Sequence, residues 1–371
     1  MGQKTPTIST CLIVKNESVC IKGCIESILP FSDEIIIFDT GSDDGTQDIC
    51  KQYDKVKLIQ GEWKNDFAWA RNESFKYANC DYIMWVDADD VIDEKDILWF
   101  ENFKREELYK YDIVSLEYIY DAHIDGTFSM HLYRERVFKR SLKPKWFGRI
   151  HEYVSLTKGE NIQIHCVPFD DFVIKHYKHS PNPKRNWEIY KIMEENSEIT
   201  TGRDWFYYGR ECMWCEGDDS AIEKFKIALT YSDLWIIDKL NLYRNLSEIY
   251  LRKGDEEESL HYLYLAGECT DIPRADVCCD LGDRLYFKGK YKEAIKWYEM
   301  AYENTPNDYD GTFMEYGKDT IYPLLQLCVT EYKIGNVEKS KGYNDKVFLY
   351  EKDNKIALYN KQFFSQYCND M

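Results

Sequence analysis

Between residues 8 and 90 the chain alternates strand-length apolar runs with helix-length amphipathic stretches, and few folds accept that pattern. Residues 8–15 are β-branched and apolar and stop at Asn16-Glu17-Ser18. Residues 19–29 carry helical spacing through Ile21, Ile25 and Ile28, and Pro30 closes them. An apolar run over 34–38 then ends in Asp39-Thr40-Gly41-Ser42-Asp43-Asp44-Gly45. The spacing predicts a helix over 46–53, a strand over 55–60, a helix over 66–78 and a strand over 82–86, which runs into Asp87-Ala88-Asp89-Asp90. Uninterrupted apolar runs of this length fit parallel strands buried on both faces. Strand, helix, strand, helix, strand predicts an α/β domain with a mostly parallel, Rossmann-like sheet. The polar clusters after the first, second and fourth strands share the carboxyl edge, where open α/β sheets bind ligands.

Residues 112–118, 128–133, 136–139 and 173–176 read as shorter, mixed strands that complete the sheet. From about Trp205 the pattern becomes wholly helical. Gly217, Gly254, Gly289 and Gly335 fall between helical stretches, at separations of 37, 35 and 46. The third unit is the clearest, with Leu281-Gly282, Tyr291, Ala294-Ile295, Tyr298, Ala301 and Pro306. It resembles the tetratricopeptide repeat of about 34 residues, in which small residues let paired helices approach. The other units are weaker, the last spacing holds an insertion around 307–318, and an irregular helical bundle is the plainer reading. The expected organisation is a catalytic α/β domain over 1–195 and an all-α repeat domain over 196–371, consistent with a length of 371 residues.

A formal net charge of −18 argues against a nucleic-acid partner, because phosphate neutralisation needs excess Lys and Arg. The 13 cysteines are odd in number and include one Cys212-x-x-Cys215 without a second pair at zinc spacing, so buried thiols are expected. No apolar run approaches the roughly 20 residues that cross a bilayer. With a polar stretch over 1–10, these features point to a cytoplasmic protein.

Alternation past the fourth strand sends Asp87 and Asp89 to one side. One carboxylate can accept from a ribose hydroxyl while the other ligates Mg²⁺ or Mn²⁺ against a diphosphate. Asp39 can accept from a uracil N–H or cap the next helix, with Asp43 or Asp44 better placed as the cap. Asn16 and Glu17 can contact the base or serve as caps. In Trp63-Lys64-Asn65-Asp66-Phe67-Ala68-Trp69-Ala70-Arg71-Asn72, Asn65 or Asp66 can cap a helix. Arg71, one to two turns inward, suits a diphosphate or a site carboxylate.

Together, Val14-Lys15-Asn16-Glu17, the Asp39–Thr46 segment, Asn65-Asp66-Phe67 with Ala70-Arg71-Asn72, and Val86-Asp87-Ala88-Asp89 resemble glycosyltransferase family two. The resemblance spans roughly residues 8–90 and continues more faintly to about 190. It implies a GT-A fold, a nucleoside-diphosphate sugar donor with a divalent metal, and in most members inversion at the anomeric carbon. Trp63-x-Asn65-Asp66-Phe67 with a helical-repeat tail is most similar to bacterial peptide S-glycosyltransferases of the sublancin type, although lipopolysaccharide-core transferases share the N-terminal pattern. Residue by residue, the resemblance implies Asp39 at the base, Asp87 on the ribose side and Asp89 at the metal; Asn16, Glu17 and Asp66 are further candidates for the nucleotide-sugar side. Phe147-Gly148-Arg149-Ile150-His151-Glu152 is similar to the family's Gly-x-Val/Ile-His-Glu segment, which implies Glu152 as general base and His151 as second choice. Where relatives carry a metal-approaching His-x-Gly-Tyr, this chain reads His176-Tyr177-Lys178-His179, so His176 and His179 compete for that role. Arg136 is a lesser phosphate candidate, and Lys184-Arg185-Asn186 can close as a lid.

The expected function is transfer of a hexose or N-acetylhexosamine from a UDP-sugar to a Cys, Ser or Thr side chain. A concave repeat surface favours a peptide or protein acceptor and is compatible with a homodimer. A lipid-linked or surface-polysaccharide acceptor is the alternative, and a non-catalytic repeat scaffold on a decayed transferase domain is the alternative of another class.

Overall fold

The computed structural model describes residues 4–122, 128, 130–156, 161–168, 170–177, 184–303 and 314–367. The chain divides into two compact units, one over Met1–Met193 and the other over Glu194–Asp308 and Met314–Met371.

The first unit opens with β1 (Ile8–Val14), α1 (Ile21–Ile28), β2 (Glu34–Asp39), α2 (Thr46–Cys50), β3 (Val56–Gln60), α3 (Phe67–Phe75) and β4 (Tyr82–Trp85). β5 (Asp90–Ile92), α4 (Glu94–Glu106), β6 (Ile113–Ile119), β7 (Met130–Lys139), β8 (Pro144–Phe147), β9 (Tyr153–Leu156), β10 (Ile164–Cys166), β11 (Val173–His176) and α5 (Arg185–Glu195) follow. The main sheet runs β3-β2-β1-β4-β7-β6-β11-β5, with β10 beside β6. β1 pairs in parallel with β2 and β4, and β2 with β3, whereas β7 lies antiparallel to both β4 and β6. This is the mostly parallel α/β sheet that the alternating pattern predicts.

Burial explains why each segment adopts its element. Ile21, Cys24, Ile25 and Ile28 of α1 repeat at helical spacing and are all buried. They join Leu12, Ile35, Ile37, Met84, Phe100 and Phe103 in one core layer. Cys11, Ile36, Ile83 and Trp85, at the alternate strand positions, pack with Ala68 and Phe75 of α3 and Trp146 of β8 in the other.

Some boundaries differ from expectation. The two short strands anticipated over 128–133 and 136–139 are one strand, β7, opposite a register shift between Val114 and Ser115 of β6. Asp90, expected in a loop, begins β5 and pairs with His176 of β11. The β8–β9 hairpin has alternation too short to register in the sequence.

The second unit contains α6 (Gly202–Cys215), α7 (Asp218–Ala228), α8 (Ile236–Arg252), α9 (Glu256–Gly267), α10 (Ala275–Phe287), α11 (Tyr291–Glu303), α12 (Ile321–Lys333), α13 (Val337–Val347) and α14 (Lys355–Tyr367). The first eight form consecutive pairs. Each pair turns at one of the expected glycines, Gly217, Gly254, Gly289 and Gly335, whose φ of 117°, 79°, 72° and 89° favours residues without a Cβ. At Gly282 an added Cβ would lie 2.4 Å from the Tyr298 ring, so the α10–α11 crossing needs a residue this small. These pairs are tetratricopeptide-like repeats. Pro306 and most of the anticipated insertion lie outside the described residues. The 12 described cysteines are free thiols, and among the described residues no helix is long and apolar enough to cross a membrane.

Candidate active site

Parallel pairing of β1 with β2 and β4 brings the turns after these strands to one edge. The first two are stitched together. Asn16, at φ 60°, donates its N–H to Ser42 Oγ (2.9 Å) and accepts at Oδ1 from the Asp43 N–H (2.9 Å). Asn tolerates that left-handed conformation better than most residues. The Glu17 N–H reaches Thr46 Oγ1 at 2.8 Å, and Asp44 takes the capping-type bond from the Thr46 N–H at 3.0 Å. Asp39 is therefore not needed as a cap. Its Oδ1 accepts from the Gly41 and Ser42 N–H groups (2.7 and 2.8 Å), while its fully buried Oδ2 has no partner among the described residues. A buried carboxylate oxygen without a donor is costly, and a ligand N–H would satisfy it.

Beyond β4, Asp87 and Asp89 stay partly exposed on either side of buried Ala88, as alternation predicts. Arg71 of α3, 7% exposed, bridges two carboxylates: its Nη2 donates to Asp87 Oδ1 and its Nε to Glu152 Oε1, both at 2.7 Å. Burial alone would lower the Arg71 pKa, but Asp87 and Glu152 raise it further. Burial likewise raises Asp87, and the charges of Arg71, then Arg136 and His176, outweigh it and hold its carboxyl far below the ordinary range. Asn72 clamps the backbone of β8 by giving its Nδ2 to the Trp146 carbonyl (2.9 Å) and receiving the Trp146 N–H at Oδ1 (3.0 Å). The hairpin loop 148–152 is thereby fixed against α3, aided by a 2.7 Å bond from the Phe67 N–H to the Arg149 carbonyl. Glu152 sits at the end of this loop and His151, at φ 50°, beside it, with its ring stacked 6.4 Å from Tyr190.

The third cluster can hold a cation. Ligand atoms of Asp89, Asp90 and His176 lie within 4.8 Å of one another. Both Asp90 oxygens are already engaged, Oδ1 by Tyr118 (3.0 Å) and His176 Nδ1 (3.1 Å), Oδ2 by the Asp87 N–H (2.9 Å) and Arg136 (3.2 Å). Asp89 is thus the better-placed carboxylate for a divalent ion, and His176, whose Nδ1 lies 3.1 Å from both Asp89 Oδ1 and Asp90 Oδ1, would join it after losing the proton it shares with them. Burial would lower the His176 pKa, but hydrogen bonds to Asp89 and Asp90 raise it to about 10. The neighbouring Glu17 is also raised, by burial first and then by Asp89 and Asp87.

The structure gathers Glu17, Arg71, Asp87, Asp89, Glu152 and His176 about one acidic centre. Asp66 is the N-cap of α3, one of the roles expected of it: its Oδ1 accepts from the Trp69 N–H at 2.7 Å. Arg136 is fully buried over Trp85 (3.7 Å) and Tyr118 (4.2 Å), and its Nη1 pairs with Asp90 at 3.2 Å, while its Nε and Nη2 have no hydrogen-bond partner among the described residues. His179 lies outside the described residues. Sequence reasoning missed Asn72, Asp90 and Arg134. Asn72 adjoined Arg71 and Asp90 followed Asp89, so both were in view; Arg134 carried no signal beyond alternation with Arg136.

Comparison with known proteins bears on this edge of the sheet. A family model described as Glycosyl transferase family 2 matches residues 9–159. The SPbeta prophage-derived glycosyltransferase SunS of Bacillus subtilis (strain 168) is 32% identical over 236 residues, covering 60% of this chain and 53% of the relative. The chain thus spans about half the length of the curated relatives it matches first. A poly-beta-1,6-N-acetyl-D-glucosamine synthase of Staphylococcus epidermidis is 34% identical over 110 residues, 28% of this chain and 27% of the synthase. Among solved structures, YrrB, a TPR protein with an unusual peptide-binding site, covers 48% of this chain and 84% of its own at 20% identity, with a TM-score of 0.36.

Proposed function

We propose that this chain, whose residues 9–159 match the glycosyltransferase family 2 model, is a metal-dependent inverting glycosyltransferase. It moves a sugar from a UDP-sugar to a Cys, Ser or Thr side chain of a peptide or protein. The observation that carries this reading is the Arg71 bridge, which sets Asp87 and Glu152 at a fixed spacing beside the Asp89–His176 corner.

Asp39 Oδ2 accepts the uracil N–H that completes its bonding, and the Asn16 and Glu17 turn borders the base. Asp87, anchored by Arg71, accepts from the ribose. Asp89 and His176 would hold Mg²⁺ or Mn²⁺, and such an ion would supply charge stabilisation to a departing diphosphate. Glu152 takes the proton from the acceptor thiol or hydroxyl. The acceptor atom then bonds to the anomeric carbon as the bond to the diphosphate oxygen breaks, so UDP leaves with its electron pair and the configuration inverts. His151 lies adjacent and is the second candidate for base.

Similarity over 110 residues to a poly-beta-1,6-N-acetyl-D-glucosamine synthase keeps a glycan acceptor as the second reading. A donor screen with labelled UDP-sugars separates the two: label in protein supports the first, label in lipid or glycan extracts the second. Transfer should vanish in EDTA and in Asp89→Ala. Full activity in EDTA would remove the metal from this scheme.

A further inference from the structure

Three guanidinium groups crowd the indole of Trp85: Arg136 at 3.7 Å, Arg71 at 4.6 Å and Arg134 at 5.2 Å from the ring centroid. Two of them are committed. Arg71 bridges Asp87 and Glu152, and Arg136 pairs with Asp90. Arg134 makes no ion pair and no hydrogen bond among the described residues. It is partly buried on β7, opposite Leu116 of β6. The antiparallel β4–β7 ladder runs to Met84 opposite Val137, and Arg134 lies on the stretch of β7 before Val137, over the Trp85 ring at the end of β4. Arg134 thus stands over a ring two residues before Asp87, near the start of the acidic turn. Burial, then Arg136, lowers its pKa, while Glu152 and Tyr118 act the other way. It thus faces the same centre as the bridge. A partly desolvated cation among like charges is costly until an anion joins it.

We propose that Arg134 receives the diphosphate of a nucleoside-diphosphate donor, donating paired N–H groups to the phosphate beyond the nucleoside monophosphate. This rests on the donor reading above. Charge balance favours that ligand. The centre holds the carboxylates of Glu17, Asp87, Asp89, Asp90 and Glu152, and its other two guanidiniums are neutralised from within. An entering diphosphate needs a positive partner besides a metal ion, and the guanidinium fork matches phosphate geometry.

The test is calorimetric titration of the full chain with UDP and with UMP in Mg²⁺, comparing wild type, Arg134→Gln and Arg134→Lys. Wild type should prefer UDP. Arg134→Gln should lose about 10-fold or more of UDP affinity relative to UMP, and Arg134→Lys should recover part of that preference. A merely structural role would weaken both nucleotides alike, and that result would overturn the proposal. An unchanged UDP/UMP ratio in Arg134→Gln would overturn it too, while leaving the donor reading intact. Absence of UDP binding to wild type would instead sink the donor reading, and this assignment with it. If circular dichroism shows Arg134→Gln unfolded, Arg134→Lys decides: an undiminished UDP/UMP ratio rejects the fork, a reduced one supports it.

Discussion

At the scale of single residues, Arg71 organises the centre because it is the donor that two carboxylates share. Lys in its place could not span both, since one ammonium lacks the fork that sets Asp87 and Glu152 apart. The depressed Asp87 pKa has a consequence with a definite sign. A carboxylate lowered in the folded state stabilises it above the unfolded value of about 3.9, and that contribution disappears as pH falls through the native value. Asp87→Asn should therefore melt below wild type at pH 7, with the gap narrowing as pH falls below about 3.9, where the unfolded chain takes up the proton, and closing only as the native Asp87 carboxyl is protonated. Thermal unfolding across pH checks this, and a gap that is constant with pH would contradict the ion-pair explanation. Glu152→Gln should lower turnover by roughly 10²-fold if Glu152 is the base, measured at saturating donor. Near-normal turnover would move that role to His151. Asp39 and the Asp87–Asp89 pair were legible in the sequence because each follows a buried apolar run, where geometry leaves little freedom. The roles of Asp66 and Arg136 were less legible, because charge alone does not reveal whether a side chain faces a ligand, a helix end or a buried partner.

At the scale of elements, the β8–β9 hairpin depends on α3 for its position. Asn72 satisfies both backbone groups of Trp146, and Arg71, one residue earlier, holds Glu152 at the hairpin's far end. The adjacent pair thus docks one hairpin at two points. Asn72→Ala should cost about 1–3 kcal/mol in unfolding free energy, because it strands a buried donor and acceptor. It should also lower turnover more than donor affinity, since the loop carrying Glu152 loosens while Asp39 and Asp87 keep their anchors. Equal losses in both would place the clamp's role in donor binding instead. The strands and helices of residues 8–86 were readable from periodicity, and their ends moved by a few residues at most. β7 was split in two by the expectation, since its polar interruption at Arg134-Glu135 looks like a break in sequence while β6 pairs with both residues in the fold. The α6–α13 pairs were readable from their glycines, whose left-handed backbone admits few alternatives.

At the scale of the whole molecule, an α/β unit carries an acidic centre at the carboxyl edge of its sheet, and a second unit is built of helix pairs. A chain with formal net charge −18 that concentrates five carboxylates at one edge needs cations to admit a diphosphate. That requirement is the central claim, and a crystal structure of the full chain with UDP and Mn²⁺ tests it most directly. The account predicts uracil against Asp39 Oδ2, the ion between Asp89 and the phosphates, and Arg71 still joining Asp87 to Glu152. Nucleotide bound elsewhere, with Asp87 and Asp89 turned to solvent, would contradict it.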